Sequence, residues 1–182
     1  YSRIDTVPNP EELAKIRRAG IRWLCLGIES GDKAIRLEVA KGKFEAVDVE
    51  KVVAQVEAAG INVMANYIYG LPGDTPETIQ ETFDLSTKLN TLGWNTYAAM
   101  ALPGSPLYMQ AKREGQRLPT NYEEFSFHSY ETIPLSTEHM DASEILKMRD
   151  EKFTEYFERP EFLARIENAF GQNASRNITE MN

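Results

Sequence analysis

The sequence predicts an α/β fold: a partial TIM-type (β/α) barrel of about four parallel strands with outer helices, followed by a helical C-terminal extension. Three observations predict it. Short apolar runs alternate with helix-patterned stretches through residue 104, the rhythm of a parallel sheet with crossover helices. Ala-Gly-Ile stands ahead of two of those runs, at Ala19-Gly20-Ile21 and Ala59-Gly60-Ile61, where glycine supplies the left-handed residue after a helix. Past Ser105 the alternation stops, and helix-length patterns follow an aromatic and polar stretch.

Taken in order, residues 1–7 read as a strand that stops at Val7-Pro8. Pro10, Glu11 and Glu12 then open a helix that Gly20 ends. Ile21 to Ile28 is a buried strand, Gly31 to Lys41 a short helix, and Ala46 to Ala59 a longer one with Val49, Val52, Val53 and Val56 at helical spacing. Ile61 to Tyr69 is the third strand, ended by the turn Gly70-Leu71-Pro72-Gly73. Thr75 caps a helix reaching Asn90, with Pro76 at its first position. Trp94 to Ala101 is the fourth strand.

A short helix to Gly115, a helix from Asp141 to Phe157 and another from Pro160 to Phe170 build the extension. The polar tail after Gly171 reads as mobile. The expected division is therefore 1–104, part of a β/α barrel, and 105–182, a mostly helical extension packed on it. Four parallel strands do not close a barrel, and a complete eightfold one takes ~250 residues, so the chain reads as a piece of a larger protein.

Composition excludes several classes. With 182 residues, 42% hydrophobic and 26% charged, the chain has the balance of a globular domain. A net charge of −8 repels phosphate backbones and anionic membranes, so neither nucleic acid nor a membrane is an expected partner. One cysteine, Cys25, and two histidines, His128 and His139, make neither a disulfide nor a thiolate-rich metal site. No metal ligands and no catalytic residue are assigned, and a reducing cytoplasmic setting is the expected location.

In a β/α fold the chemistry sits at the carboxyl ends of the strands. Strand parity puts Trp23, Cys25, Gly27 and Glu29 on one face and Leu24, Leu26 and Ile28 on the other. The aliphatic set packs on helices, which leaves Glu29 inward at the strand end. A carboxylate there is costly unless a ligand or cation pairs with it; capping of the following helix is the alternative. On the third strand Asn66 and Ile68 share a face at the carboxyl end, and an amide beside an aliphatic group suits a flat, polar-edged ligand such as a nucleoside. Gly70 allows close backbone approach. Lys41 is a cation for a carboxylate or phosphate, or a solvated surface lysine. Cys25 reads as an inert buried thiol, and both histidines as structural.

Four strings, Gly27-Ile28-Glu29-Ser30-Gly31, Lys41-Gly42, Tyr69-Gly70-Leu71-Pro72-Gly73-Asp74-Thr75-Pro76-Glu77 and Leu102-Pro103-Gly104-Ser105-Pro106-Leu107-Tyr108, occur in that order. Together they resemble the second half of a radical S-adenosylmethionine (SAM) core. The nearest branch is the one whose members often carry an upstream cobalamin-binding domain, related to oxygen-independent coproporphyrinogen oxidases. The resemblance implies a six-stranded partial barrel, SAM, and a four-iron four-sulfur cluster on a CxxxCxxC loop, with cobalamin through an upstream domain. It also implies reductive cleavage of SAM to a 5′-deoxyadenosyl radical, leading to methyl transfer or cyclisation.

Position by position, the resemblance gives Glu29, with Ser30 beside it, and Lys41 to the polar groups of SAM, and Asn66 to the ribose. It gives Ile68 to the adenine, the glycine turn at Gly70 to close approach, and the backbone near Ala99 and Met100 to the adenine edge. The expected partners are a small-molecule substrate, the upstream half of the same chain, an electron donor, and a second copy paired through the exposed first strand. The sequence has no CxxxCxxC, so these residues alone are expected to be inactive. The alternative readings are a cluster-free β/α enzyme using Glu29 and Lys41, and a binding module without catalysis.

Overall fold

The computed structural model describes residues 1–39 and 47–181. Strand β1 (Ser2–Arg3) leads through a 3-10 turn to helix α1 (Pro10–Arg18), strand β2 (Trp23–Glu29), and helices α2 (Lys33–Val39) and α3 (Val49–Ala58). Strand β3 (Asn62–Tyr69), helix α4 (Pro76–Leu89) and strand β4 (Gly93–Ala98) follow. The extension adds α5 (Pro106–Glu114), α6 (Ala142–Glu158), α7 (Pro160–Phe170) and α8 (Gln172–Met181). All four strands pair in parallel in the order β1-β2-β3-β4. The α/β class with four parallel strands alternating with helices is thus the one observed.

Side-chain alternation divides the sheet into two unlike faces. Leu26, Ile28, Val63, Ala65, Tyr67 and Trp94 point one way and are buried with Leu13 of α1, Val53 and Val56 of α3, and Phe83 of α4. Tyr156, Phe162 and Ile166 of the extension join the same core. The opposite face carries Trp23, Cys25, Gly27, Met64, Ile68 and Tyr97, all part-buried or exposed. One side of the sheet is therefore the helix-packed wall, and the other is the concave inner surface of an open half-barrel.

Local chemistry sets the helix starts. The Asn9 side chain accepts from the Glu12 N–H at 3.0 Å, Asp48 from Lys51 at 3.0 Å, and Ser105 from Tyr108 at 3.1 Å. Thr75 and Thr78 form a capping box on α4, as Asp141 and Glu144 do on α6. Gly20 and Gly60 take positive φ values of 97° and 76° ahead of β2 and β3, as the two Ala-Gly-Ile turns require.

Three expectations are corrected. The strand expected over residues 1–7 is two residues long, because Thr6 Oγ1 donates to the Arg3 carbonyl at 2.9 Å and turns buried Ile4 into the core. The fourth strand stops at Ala98; the Ala99 N–H still reaches the Tyr69 carbonyl at 2.8 Å, but the Ala99 carbonyl is taken by Leu135 of the extension at 2.9 Å. The tail after Gly171 is a helix rather than a polar coil. Its Ala174 and Ile178, one turn apart on one face, pack against the main core.

Candidate functional site

The carboxyl ends of the strands meet in a cavity of about 410 Å³ on the open face. Its wall is built from Arg3 of β1, Gly27 and Glu29 of β2, Asn66 and Ile68 of β3, and Tyr97 of β4. Register explains the convergence. Arg3 pairs with Gly27 and Gly27 with Asn66, so three adjacent strands contribute one continuous row beneath the cavity.

Glu29 arrives there by a route that alternation does not describe. The ladder slips between Gly27 and Glu29, so that Glu29 lies opposite Tyr67, a residue of the helix-packed face. Glu29 takes φ 70°, a left-handed conformation uncommon outside glycine. The bulge and this backbone turn return its side chain to the open face. Burial pushes the Glu29 carboxyl pKa above the ordinary value, against the opposing pull of the Arg3 guanidinium. Arg3 is itself held by a two-pronged contact to Asp5, with Nε–Oδ1 at 3.0 Å and Nη2–Oδ2 at 2.6 Å.

Asn66 is buried, and its amide nitrogen donates to the carbonyls of Leu26 at 3.3 Å and Met64 at 3.1 Å. Both amide hydrogens are thereby used, which leaves the carboxamide oxygen as an acceptor. Ile68 supplies an apolar surface backed by Ile35, Leu71 and Ala99. Tyr97 closes the β4 side, with its ring packed on Phe127 at 4.9 Å and His128 at 5.8 Å, and its pKa is raised by desolvation. The cavity thus offers two hydrogen-bond acceptors, one guanidinium, an aliphatic wall and an aromatic wall. That set suits a flat apolar body carrying hydroxyl or amino donors.

The remaining expected site residues lie elsewhere. Ser30 is buried, its hydroxyl 3.2 Å from Thr82 Oγ1 and accepting from the Asp32 N–H at 3.1 Å, which ties the end of β2 to α4. Gly70 borders a separate cavity of about 460 Å³ between its turn and α5, with Pro72, Leu107 and Thr137. Ala99 and Met100 are buried beyond the end of β4, and both backbone groups of Ala99 are bonded within the protein. Lys41 lies outside the described residues. Cys25, expected to be buried, is part-exposed on the open face. His139 sits 3.2 Å from Glu138 at the surface. Tyr97 is not among the expected ligand contacts; a period of two counted from Gly93 puts it, with Asn95, on the inner face.

A four-iron four-sulfur cluster does not fit the donor set. The sequence has a single cysteine, and among the described residues no group of three His, Cys, Asp or Glu could hold a metal ion. A nucleoside does fit the cavity by size and by donor-acceptor match. Among the described residues no helix is long and apolar enough to cross a membrane.

Residues 1–86, from β1 through most of α4, match the family model of the Radical SAM superfamily. Its relatives are distant. An uncharacterized methyltransferase of Pyrococcus horikoshii is 24% identical over 165 residues, which is 89% of this chain and 34% of that protein. An anaerobic magnesium-protoporphyrin IX monomethyl ester cyclase of Rubrivivax gelatinosus is 24% identical over 89% of this chain and 28% of its own length. A hopanoid C-2 methylase of Rhodopseudomonas palustris is 27% identical over 62% of this chain and 21% of its own. The chain therefore spans between about a fifth and a third of these curated relatives.

Proposed function

We propose that the cavity at Glu29, Asn66 and Ile68 holds the nucleoside of SAM, and that these 182 residues form the SAM-facing part of a radical SAM enzyme. The observation that carries the reading is the convergence of a carboxyl group, an acceptor amide and an aliphatic face from neighbouring strands onto one nucleoside-sized hollow. When bound, SAM supplies the 5′-deoxyadenosyl group that such enzymes use to abstract hydrogen. The work of this chain is binding and orientation. Glu29 and the Asn66 oxygen accept from the ribose hydroxyls, while Ile68 and Tyr97 flank the adenine and exclude water from it. The names of the relatives support methyl transfer or cyclisation on a small molecule as the outcome. Because the sequence holds one cysteine, the cluster thiolates come from outside these residues, and the chain by itself is inactive.

The test uses 5′-deoxyadenosine, which carries the nucleoside without the methionine. Saturation-transfer NMR on the 182-residue chain is expected to detect contact at both adenine and ribose protons. Removing a charge-assisted hydrogen bond in Glu29→Ala weakens that contact about tenfold. Absence of transfer from the wild-type chain, or equal transfer from the variant, overturns the assignment.

A further inference from the structure

Gly27 lies at the centre of the row Arg3–Gly27–Asn66, directly beneath the cavity. A Cβ built on it would collide with Oε1 of Glu29 and stand 3.4 Å from Cδ of the same side chain. No backbone atom stands in its way. We infer that Gly27 is the positioning residue of this site: its lack of a side chain is what lets the Glu29 carboxyl group fold back over β2, between Arg3 and Asn66. The inference deepens the nucleoside reading above and rests on it for the ligand, though not for the geometry.

The bulge explains why a glycine is needed at this position. With Glu29 at φ 70° and out of register, its side chain does not stand clear of the strand but returns along it toward residue 27. Any Cβ at residue 27 occupies the place of the carboxyl oxygen. The obstruction is the far end of a flexible side chain, so an alanine evicts the carboxyl group and leaves the strand in place. Gly31 provides the contrast within the same motif. A Cβ there would stand 2.6 Å from the Glu81 carbonyl oxygen and 2.6 Å from Thr82 Cα, both backbone atoms of α4, which no rotamer change relieves. Gly31 is a packing glycine; Gly27 sets the position of a functional group.

The experiment combines a titration with a double-mutant cycle. Carbon-13 NMR of the Glu29 carboxyl is expected to show a raised pKa in the wild-type chain and a return toward the ordinary value in Gly27→Ala. Affinity for 5′-deoxyadenosine falls about as far in Gly27→Ala as in Glu29→Ala, and the double variant is no weaker than either. An unchanged Glu29 titration in Gly27→Ala, or losses that multiply in the double variant, overturns the inference. Should Gly27→Ala fail to fold, the same substitution in the Glu29→Ala background folds, because the colliding carboxyl is gone; failure there too overturns it. If the wild-type chain binds no 5′-deoxyadenosine, the nucleoside reading falls, and the titration still decides the role of Gly27.

Discussion

Trp94 of β4 and Tyr156 of α6 stack with ring centroids 4.7 Å apart and planes inclined by 14°. Tyr156 is fully buried and also packs edge-on against Phe83 and at a tilt against Phe162. The extension is therefore joined to the sheet through its main core, and α6 covers the outer face of β4 as a crossover helix would. Tyr156→Ala leaves a cavity beneath α6 and is expected to destabilise the chain by about 3–5 kcal/mol, as for other large aromatic deletions. Tyr156→Phe gives up the 3.3 Å hydrogen bond to the Thr91 carbonyl and costs about 1 kcal/mol. Urea unfolding of both variants checks the order; equal losses would mean that the ring is not the tie.

Asp74 joins three segments from a buried position. Its carboxylate accepts from the Leu71 N–H at 2.9 Å and the Thr78 hydroxyl at 2.8 Å, and its carbonyl accepts from Thr137 of the extension at 3.0 Å. Burial raises its pKa, and the bonds from Thr78 and Leu71 oppose the rise. Asp74→Ala strands the Leu71 donor in the turn below α4 and is expected to cost about 1–3 kcal/mol. Asp74→Asn retains an acceptor and costs less. A lower urea midpoint at unchanged slope is the expected signature.

The raised Glu29 pKa fixes a sign for the pH dependence of stability. Above the ordinary carboxyl value of 4.5, the folded chain keeps a proton that the unfolded chain has released, so wild-type stability falls as pH rises through the raised value. Glu29→Gln removes that dependence. The variant is expected to be the more stable of the two at pH ~7 and equal to the wild type below the ordinary carboxyl pKa. Thermal melts at both pH values measure the difference, and a Gln variant less stable at neutral pH would reverse the assignment of burial as the dominant cause.

Much of this architecture was legible because it rests on local rules. The Asn90 and Gly171 helix ends, the Thr75 cap and the two Ala-Gly-Ile turns each follow from the backbone needs of a single residue. The convergence of Glu29, Asn66 and Ile68 was also legible, yet for Glu29 the reason was incomplete. Simple alternation put it inward, whereas a slipped register and a positive φ bring it there, and no pattern in the sequence announces a bulge at Gly27. The mid-strand position of Cys25 predicts burial, but the inner face it lies on is open and leaves the thiol part-exposed. Long-range packing divides the aromatic residues of the extension. Tyr156 is fully buried in the core, Phe127 lies against Tyr97, and Tyr122 and Tyr130 stand in solvent.

Iron loading tests the proposal that the cluster thiolates come from elsewhere. Anaerobic reconstitution of the 182-residue chain with iron and sulfide is expected to give no brown charge-transfer absorbance and negligible iron per chain. A single thiolate per chain does not supply the several cysteine ligands that an iron–sulfur cluster needs. Stoichiometric iron in the purified chain would show that ligands are shared between copies.

Glu29 also carries a backbone cost. A non-glycine residue at φ 70° is strained by roughly 1–2 kcal/mol, and its buried carboxyl adds a desolvation penalty. Glu29→Gly relieves both, while the added freedom of glycine in the unfolded chain takes back about 0.5–1 kcal/mol. The net expectation is a gain of about 1 kcal/mol in folding stability, accompanied by loss of 5′-deoxyadenosine binding. Glu29→Ala separates the two contributions, because it removes the carboxyl and keeps the strained backbone. Chemical denaturation of the three proteins at one pH therefore ranks them Gly, Ala, Glu from most to least stable, and a wild-type chain more stable than the glycine variant would show that neither strain nor desolvation dominates at this position.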